Sequence, residues 1–564
     1  MTKEMMLSYF HTISDDWSIL AEIFVFILLV VMLAVAFYDR YIQRENQLLI
    51  NFPLVGRLRY LFYMMRSPMR QYFGDETFFD AFEKLVWVNK AASHKPLYFS
   101  FAPTKPFANA KLLFKHANFV KEISEVQKRF SVVFGQERPN AFVARSIVGR
   151  SAMSDGAISP EGTRAFAKGA YLGGFPVNTG EGGLTSNFLT TLRYCDCDDA
   201  YLQKREGTWF AKGVYGLLSV VTNREVAERV YRQMVVRQKD RGTFIFDSQK
   251  RCFFRIDWEK PLALFPKEVP QSLPDIVFQM GSGLYGVRDA NGAFDPKRYQ
   301  KVMRFCWMTE IKLAQGAKQT GGKLLARKVT EDIAYYRGVP AYQDLISPNR
   351  FPYAEDEETL FDFIEELQQL SGKPVGFKIV VASEASFDLF AHAMQKRREA
   401  GRSIADFITI DGGDGGSATA PLEMMSRIGL PAAEAVQIAD SVLRKRGLRE
   451  HIRLIVSEKV LTPDDVVTFL CEGADFVNIA RGFMISAGCI RARECSGANG
   501  RDCPVGLATM NPSKRSKFLV EQKAQAVAAY HNALLEGVRA LLAVMGKKDI
   551  ASLGREDLIP SLHA

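Results

Sequence analysis

The sequence predicts an α/β protein built on a (β/α)8 TIM barrel, with an N-terminal transmembrane helix and a large insertion. Three observations carry that expectation. Short runs rich in Ile, Val and Phe alternate with amphipathic helical stretches from about residue 145 onward, as in a parallel sheet buried on both faces. Polar and glycine-rich residues recur just after those runs, where such a barrel assembles its active site. No GxGxxG follows an early strand, which leaves a doubly wound nucleotide-binding sheet as the second choice.

Residues 1–45 read as a membrane anchor with a helix over about 17–38. Residues 23–38 (IFVFILLVVMLAVAFY) carry no charge, and extending back to Trp17 admits only Glu22, close to the ~20 apolar residues that a bilayer requires. Asp15 and Asp16 precede the run and Tyr38, Asp39 and Arg40 end it, which is not the basic start and small-residue exit of a cleaved signal. A buried core helix is the alternative. Arg40, Arg44, Arg57, Arg59, Arg66 and Arg70 follow the run against Lys3 alone before it, so the remainder is expected in the cytoplasm. Residues 57–73 mix Arg with Leu, Tyr, Phe and Met, as a helix on the membrane surface or at a domain entry would.

Residues 46–144 form a juxtamembrane and N-terminal region without legible chemistry. The barrel is expected over 145–510. Its clearest strands are 376–381, 405–411, 452–457 and 474–480, each followed by a helical pattern or a turn. Residues 511–564 read as a C-terminal helical segment.

Composition narrows the function class. Hydrophobic residues are 47% and charged residues 24%, the balance of a globular protein. The net charge of +10, from 73 basic and 63 acidic residues, lacks the Lys/Arg tract with interleaved aromatics of a nucleic-acid binder. Eight cysteines spread over 564 residues, with no secretory signal, argue against a disulfide scaffold and for a reducing compartment.

Four motifs carry chemistry. Cys489, Cys495 and Cys503 lie within fifteen residues, the last followed by Pro, so soft sulfur ligands converge on a bending backbone as an iron–sulfur cluster requires; three buried thiols are the alternative. The run from Asp411 through Asp414, Gly415 and Gly416 follows a strand and suits a phosphate, or else is a flexible loop. A second glycine turn, Ala480, Arg481 and Gly482, strengthens an FMN phosphate site. Lys378 interrupts an apolar strand; it either snorkels outward or faces an electron-rich group such as the flavin pyrimidine edge. Glu310, Lys312, Gln315 and Lys318 offer groups for an anionic keto-acid, or form an exposed polar loop.

In this order the motifs resemble the FMN and iron–sulfur domain of the glutamate synthase family, and most closely its standalone, often membrane-anchored members. The matching stretches are Ser151-Ala-Met-Ser-Asp-Gly-Ala-Ile-Ser159, Asn178-Thr-Gly-Glu-Gly-Gly183, Gly281-Ser-Gly-Leu-Tyr-Gly286, Ile311 to Lys318, Gly376-Phe-Lys378, Asp411 to Gly416 and Ala480 to Thr509. The resemblance implies that Ala152, Met153 and Ser154 pack on FMN, that Lys378, Lys312 and Glu181 serve catalysis, and that the two glycine turns hold the flavin phosphate. It implies further that Gln315 and Lys318 bind 2-oxoglutarate and that the three cysteines hold a 3Fe-4S cluster. The expected reaction is reduction of 2-iminoglutarate, formed from 2-oxoglutarate and ammonia, to glutamate. A ferredoxin-like protein or an NAD(P)H-dependent reductase would supply electrons, and a separate subunit or solution the ammonia.

Four departures from the family pattern bear on this. The cysteine spacing is five then seven residues instead of five then four. The glycine-rich run after Lys318 reads Gln319-Thr-Gly-Gly-Lys323, one residue short, which puts the keto-acid in question and admits another amino acid or imine. An insertion over about 187–272 carries Cys195, Cys197, basic stretches and many aromatics, and is expected over the active-site mouth as a lid or docking surface. No Cys follows the initiator Met, so the glutaminase domain is expected to be missing. A barrel that has lost catalysis and binds a membrane partner is the rival from another class.

Overall fold

The computed structural model describes residues 22–65, 82–98, 112–192, 200–206, 208–222, 252–316, 322–413, 427–492, 494–497 and 500–560, with scattered residues over 226–247 and 415–424. The chain divides into two compact units, residues 1–78 and 79–564.

In the first unit a helix of 21 residues runs from Glu22 to Ile42, with mean hydropathy 2.4 and 6% of its most apolar window buried. At ~1.5 Å per residue it is ~30 Å long, the thickness of a bilayer core. By length and composition it can cross a membrane. It runs four residues past the expected end, because Asp39 finds partners beyond the apolar stretch. The Asp39 carboxylate accepts Arg57 Nε at 2.9 Å and Nη2 at 2.5 Å, and the Leu54 amide at 3.3 Å. Asn46 then caps the short helix Gln47–Asn51 by accepting the Leu48 and Leu49 amides, and a helix over Val55–Met64 covers the first part of the 57–73 stretch, whose residues 66–73 lie outside the described ones.

In the second unit eight parallel strands close into a barrel: β1 (Val148–Arg150), β2 (Val177–Asn178), β3 (Ile276–Met280), β4 (Met308–Lys312), β5 (Val375–Ile379), β6 (Phe407–Asp411), β7 (Arg453–Ser457) and β8 (Phe476–Ile479). They pair in chain order, and β8 closes on β1 with Val477 opposite Val148. Helices cover the outside: α1 (Pro160–Gly173), α2 (Pro296–Val302), α3 (Glu357–Ser371), α4 (Glu384–Glu399), α5 (Ala432–Lys445), α6 (Pro463–Cys471), α7 (Arg481–Ser486) and α8 (Val520–Val544). Their starts are capped as sequence chemistry dictates: Ser159 accepts the Gly162 amide with Pro160 in the first turn, and Asp356 and Ser383 form capping boxes.

The barrel floor is aromatic. The inner wall at Gly149 and Gly376 has no side chain because Phe476 and Phe407 lie across those positions; a Cβ on Gly376 would collide with the Phe407 carbonyl and stand 2.6 Å from its ring. Below them a hairpin pairing Val132–Phe134 with Phe142–Ala144 plugs the N-terminal mouth. Phe134, fully buried, meets Phe407 and Phe476 edge-on at 5.7 and 5.8 Å. With the floor filled, chemistry is confined to the C-terminal mouth.

The segment between β2 and β3 contains a three-stranded antiparallel sheet and the helix Trp209–Val221. It is fastened to the barrel's flank. Lys301 Nζ of α2 donates to the Trp258 carbonyl at 2.7 Å, the Arg298 guanidinium lies 4.4 Å over the Trp258 ring, and Arg255 pairs with Asp332 at 3.4 Å. Cys195 and Cys197 lie outside the described residues.

Candidate active site

The polar interior is built in two tiers. In the lower tier Glu310 of β4, 1% exposed, has both oxygens satisfied: Asn178 Nδ2 and Gln279 Nε2 donate to Oε1 at 2.9 and 2.7 Å, and Thr409 Oγ1 donates to Oε2 at 2.5 Å. A buried carboxylate survives only with such partners. These bonds tie β2, β3, β4 and β6 together under the mouth.

In the upper tier Lys378 and Lys312 stand opposite each other in register on β5 and β4. Lys378 Nζ lies 3.3 Å from Asp411 Oδ2 at the end of β6, both side chains under a tenth exposed, so this lysine faces inward and does not snorkel. The same Asp411 oxygen accepts the Gly316 amide at 2.9 Å, drawing the loop after β4 to the end of β6. Lys312 Nζ pairs with Glu181 Oε2 at 2.8 Å, from the turn after β2. The structure thus brings together the three residues expected to serve catalysis, as two cation–carboxylate pairs on adjoining strands.

Ala152, Met153 and Ser154 follow β1 at the rim and are half-exposed. Arg150 sets their path. Its Nη1 donates to the carbonyls of Ser151 at 3.0 Å and Met153 at 3.2 Å, while its guanidinium lies over the rings of Phe166 and Phe188. Full burial pushes this arginine down to about 9, with the Asp155 charge opposing. Gly180, at φ +66°, lies against the same loop: a Cβ there would come within 2.6 Å of the Ser154 amide. Ser151 and Ser457 hydroxyls meet at 3.3 Å above β1 and β7.

The two glycine turns end β6 and β8, with β7 between them, as the order of the runs in the sequence predicts. Gly482 is buried under the C-terminal helix: a Cβ there would collide with the Tyr530 hydroxyl, which donates to the Leu461 carbonyl at 2.9 Å. Its lack of side chain serves α8 packing and leaves exposed Ala480 and Arg481 as the open part of that turn. Gly412 likewise makes room for the Glu458 carboxylate, which accepts the Ala432 amide at 2.6 Å and caps α5. Asp414 and Gly416 lie outside the described residues, as does Lys318; Gly415 donates its amide to the Gly412 carbonyl at 3.0 Å, and Gln315 is half-exposed after β4.

Cys489, Cys495 and Cys503 are free thiols on the loop after α7, the first two half-buried and the third buried. Burial raises Cys489 and pushes Cys495 up to about 11, with the neighbouring thiols adding to each shift. Arg327 and Lys328, which no sequence signal singled out, pin this loop. Lys328 Nζ donates to the Cys495 carbonyl at 2.6 Å and the Ala508 carbonyl at 3.3 Å, and Arg327 donates to the Gly497 carbonyl. Among the described residues no three cysteine, histidine or carboxylate groups converge closely enough to hold a single metal ion. The soft donors and the buried cation beside them suit an anionic iron–sulfur group in chemistry, while the loop does not close as a mononuclear site.

Residues 103–548 match the family model described as the conserved region in glutamate synthase. The glutamate synthase large subunit-like protein YerD of Bacillus subtilis is 28% identical over 92% of this chain and 90% of its own length. The archaeal-type glutamate synthase [NADPH] of Thermotoga sp. (strain RQ2) is 31% identical over 51% of this chain and 53% of its own. The ferredoxin-dependent glutamate synthase of Cyanidium caldarium is 32% identical over 51% of this chain and 17% of its own.

Proposed function

The chain belongs to the glutamate synthase family and is an oxidoreductase, and from that premise we propose that it reduces 2-iminoglutarate, formed from 2-oxoglutarate and ammonia, to glutamate with FMN. The observation that carries this reading is the pair of inward-facing lysines, Lys312 and Lys378, each held by a carboxylate at the C-terminal mouth of a barrel whose other end is plugged. Both would meet anionic groups of cofactor and substrate. Ala152 to Ser154 and Lys378 would hold the flavin ring, and Gly415, Ala480 and Arg481 its phosphate, with Asp414 and Gly416 completing the glycine turn. The residues present fit the ring, which needs a cation near its pyrimidine edge and a shaped loop on one face; at the phosphate, the missing side chains of Gly412 and Gly482 are accounted for by packing against Glu458 and Tyr530.

Bound FMN supplies hydride transfer. The chain's own residues bind and orient: Lys312 and Lys318 with Gln315 neutralise and aim the keto-acid carboxylates, and Glu181 fixes the Lys312 ammonium at 2.8 Å. Cys489, Cys495 and Cys503 would hold an iron–sulfur cluster, 3Fe-4S matching three thiolates, to receive electrons from a ferredoxin-like or NAD(P)H-dependent donor. The apolar helix Glu22–Ile42 would anchor the enzyme in a membrane with the barrel in the cytoplasm.

A second reading, an enzyme of the same type acting on another imine, is favoured by one observation. Lys323, at the end of the shortened run, is turned into an ion pair with Asp344 at 3.4 Å. The test of the cofactor is direct. Detergent-solubilised protein purified without oxygen should release a stoichiometric amount of FMN on denaturation and contain iron and sulfide. Absence of flavin after reconstitution with FMN would remove the enzymatic reading, and absence of iron would leave the cysteines structural.

A further inference from the structure

Helix Trp209–Val221, in the segment between β2 and β3, has one face packed and one face bare. Ala211 and Tyr215 are buried against Ala227 and Tyr231, the two tyrosine rings meeting edge-on at 5.6 Å. The opposite face carries Trp209, Phe210, Leu217, Val220 and Val221, exposed at 87, 63, 66, 84 and 70%. Gly213 lies on the same stripe with open space where a Cβ would be. Lys212 is the helix's single charged residue. A surface helix of a soluble domain turns polar residues outward, so a continuous apolar stripe with aromatics at one end requires an apolar neighbour.

The charge around it says which neighbour. By sequence, residues 200–256 hold twelve Lys and Arg against five Asp and Glu, a net +7 out of +10 for the whole chain. An apolar face set in a basic segment is complementary to a bilayer with anionic headgroups, and this chain also carries a helix long enough to cross one. At thirteen residues the helix is ~20 Å long, too short for a ~30 Å hydrocarbon core, so it lies in the interface and does not span.

We propose that helix Trp209–Val221 is a second membrane contact, lying in the headgroup and acyl boundary of an anionic bilayer, in addition to the N-terminal anchor. The proposal rests on the membrane reading of residues 22–42, and two tryptophans separate the tests: by sequence Trp17 begins the anchor's apolar stretch, and Trp209 starts this helix.

The full-length protein is reconstituted into vesicles of phosphatidylcholine with phosphatidylglycerol, whose acyl chains are plain or brominated. Emission is compared for the wild type, Trp17→Phe and Trp209→Phe, so that each difference isolates one indole. The Trp209 signal should fall by about twofold or more in brominated vesicles, and less when phosphatidylglycerol is left out or when Leu217→Asp and Val220→Asp are present. Trp17 quenched with Trp209 unquenched overturns the second contact and keeps the anchor, as expected if another protein or a second copy covers the face. Neither quenched overturns both.

Discussion

Lys378 and its partner Asp411 form the smallest unit of the site. Lys378 was legible because a lysine in an apolar strand has few reasons to be there; Asp411 was legible only as part of a glycine turn. What joins them is a 3.3 Å contact between neighbouring strands, which no local pattern encodes. Replacing Lys378 with Met leaves a buried carboxylate uncompensated, and should lower stability by ~3 kcal/mol and weaken flavin binding. Adding Asp411→Asn should restore most of the stability, read by thermal unfolding, and leave the flavin defect in place. Equal recovery of both would mean that the pair is structural. For Lys318, charge-assisted bonds to a carboxylate are worth ~1.5–3 kcal/mol each, so Lys318→Met should weaken 2-oxoglutarate binding roughly ten- to a hundredfold with FMN retained.

His531 gives a pH prediction that does not depend on function. It is buried on α8, its Nε2 is 2.8 Å from Ser146 Oγ, and its ring stacks on Phe175 at 4.5 Å. Burial depresses it from 6.5 to about 4. The unfolded chain therefore takes up a proton near 6.5 that the folded one refuses until about 4, so its contribution is full above pH 6.5 and is lost as pH falls toward 4. The loss should approach ~3 kcal/mol across that window. In His531→Phe, unfolding titrations between pH 7 and 4 should lose this component of the slope.

At the element scale, legibility followed burial. The runs at 376–381, 405–411, 452–457 and 474–480 became β5 to β8 because continuous Ile, Val and Phe between helices have no other stable place. None of the first four barrel strands is among the clearest runs; Val148–Arg150 and Val177–Asn178 span only three and two residues, and Gly, Arg and Asn occupy half or more of each. Glycines illustrate the same limit. Gly376→Ala should cost ~1–3 kcal/mol through its collision with Phe407 and leave flavin content per folded molecule unchanged. Gly415→Val should do the reverse, releasing FMN with little change in unfolding temperature, since a Cβ there would obstruct approach of the phosphate. Sequence alone treats the two glycines alike; the Phe407 wall against Gly376 comes from the neighbouring strand.

For the whole molecule, the barrel assembles paired charges at one mouth, a cysteine loop pinned by Arg327 and Lys328 beyond β8, and an apolar helix of bilayer length in a separate unit. The glutamate synthase family supplies the reaction class, and the altered run from Gln319 to Lys323 leaves the choice of imine to experiment. That choice is tested most directly by following reoxidation of the anaerobically reduced, FMN-loaded protein at its flavin absorbance, with glutamate assayed at the end. Reoxidation should accelerate when 2-oxoglutarate and ammonia are added together, with glutamate formed in proportion to flavin oxidised; reoxidation no faster than with buffer, and no glutamate, would contradict glutamate synthesis.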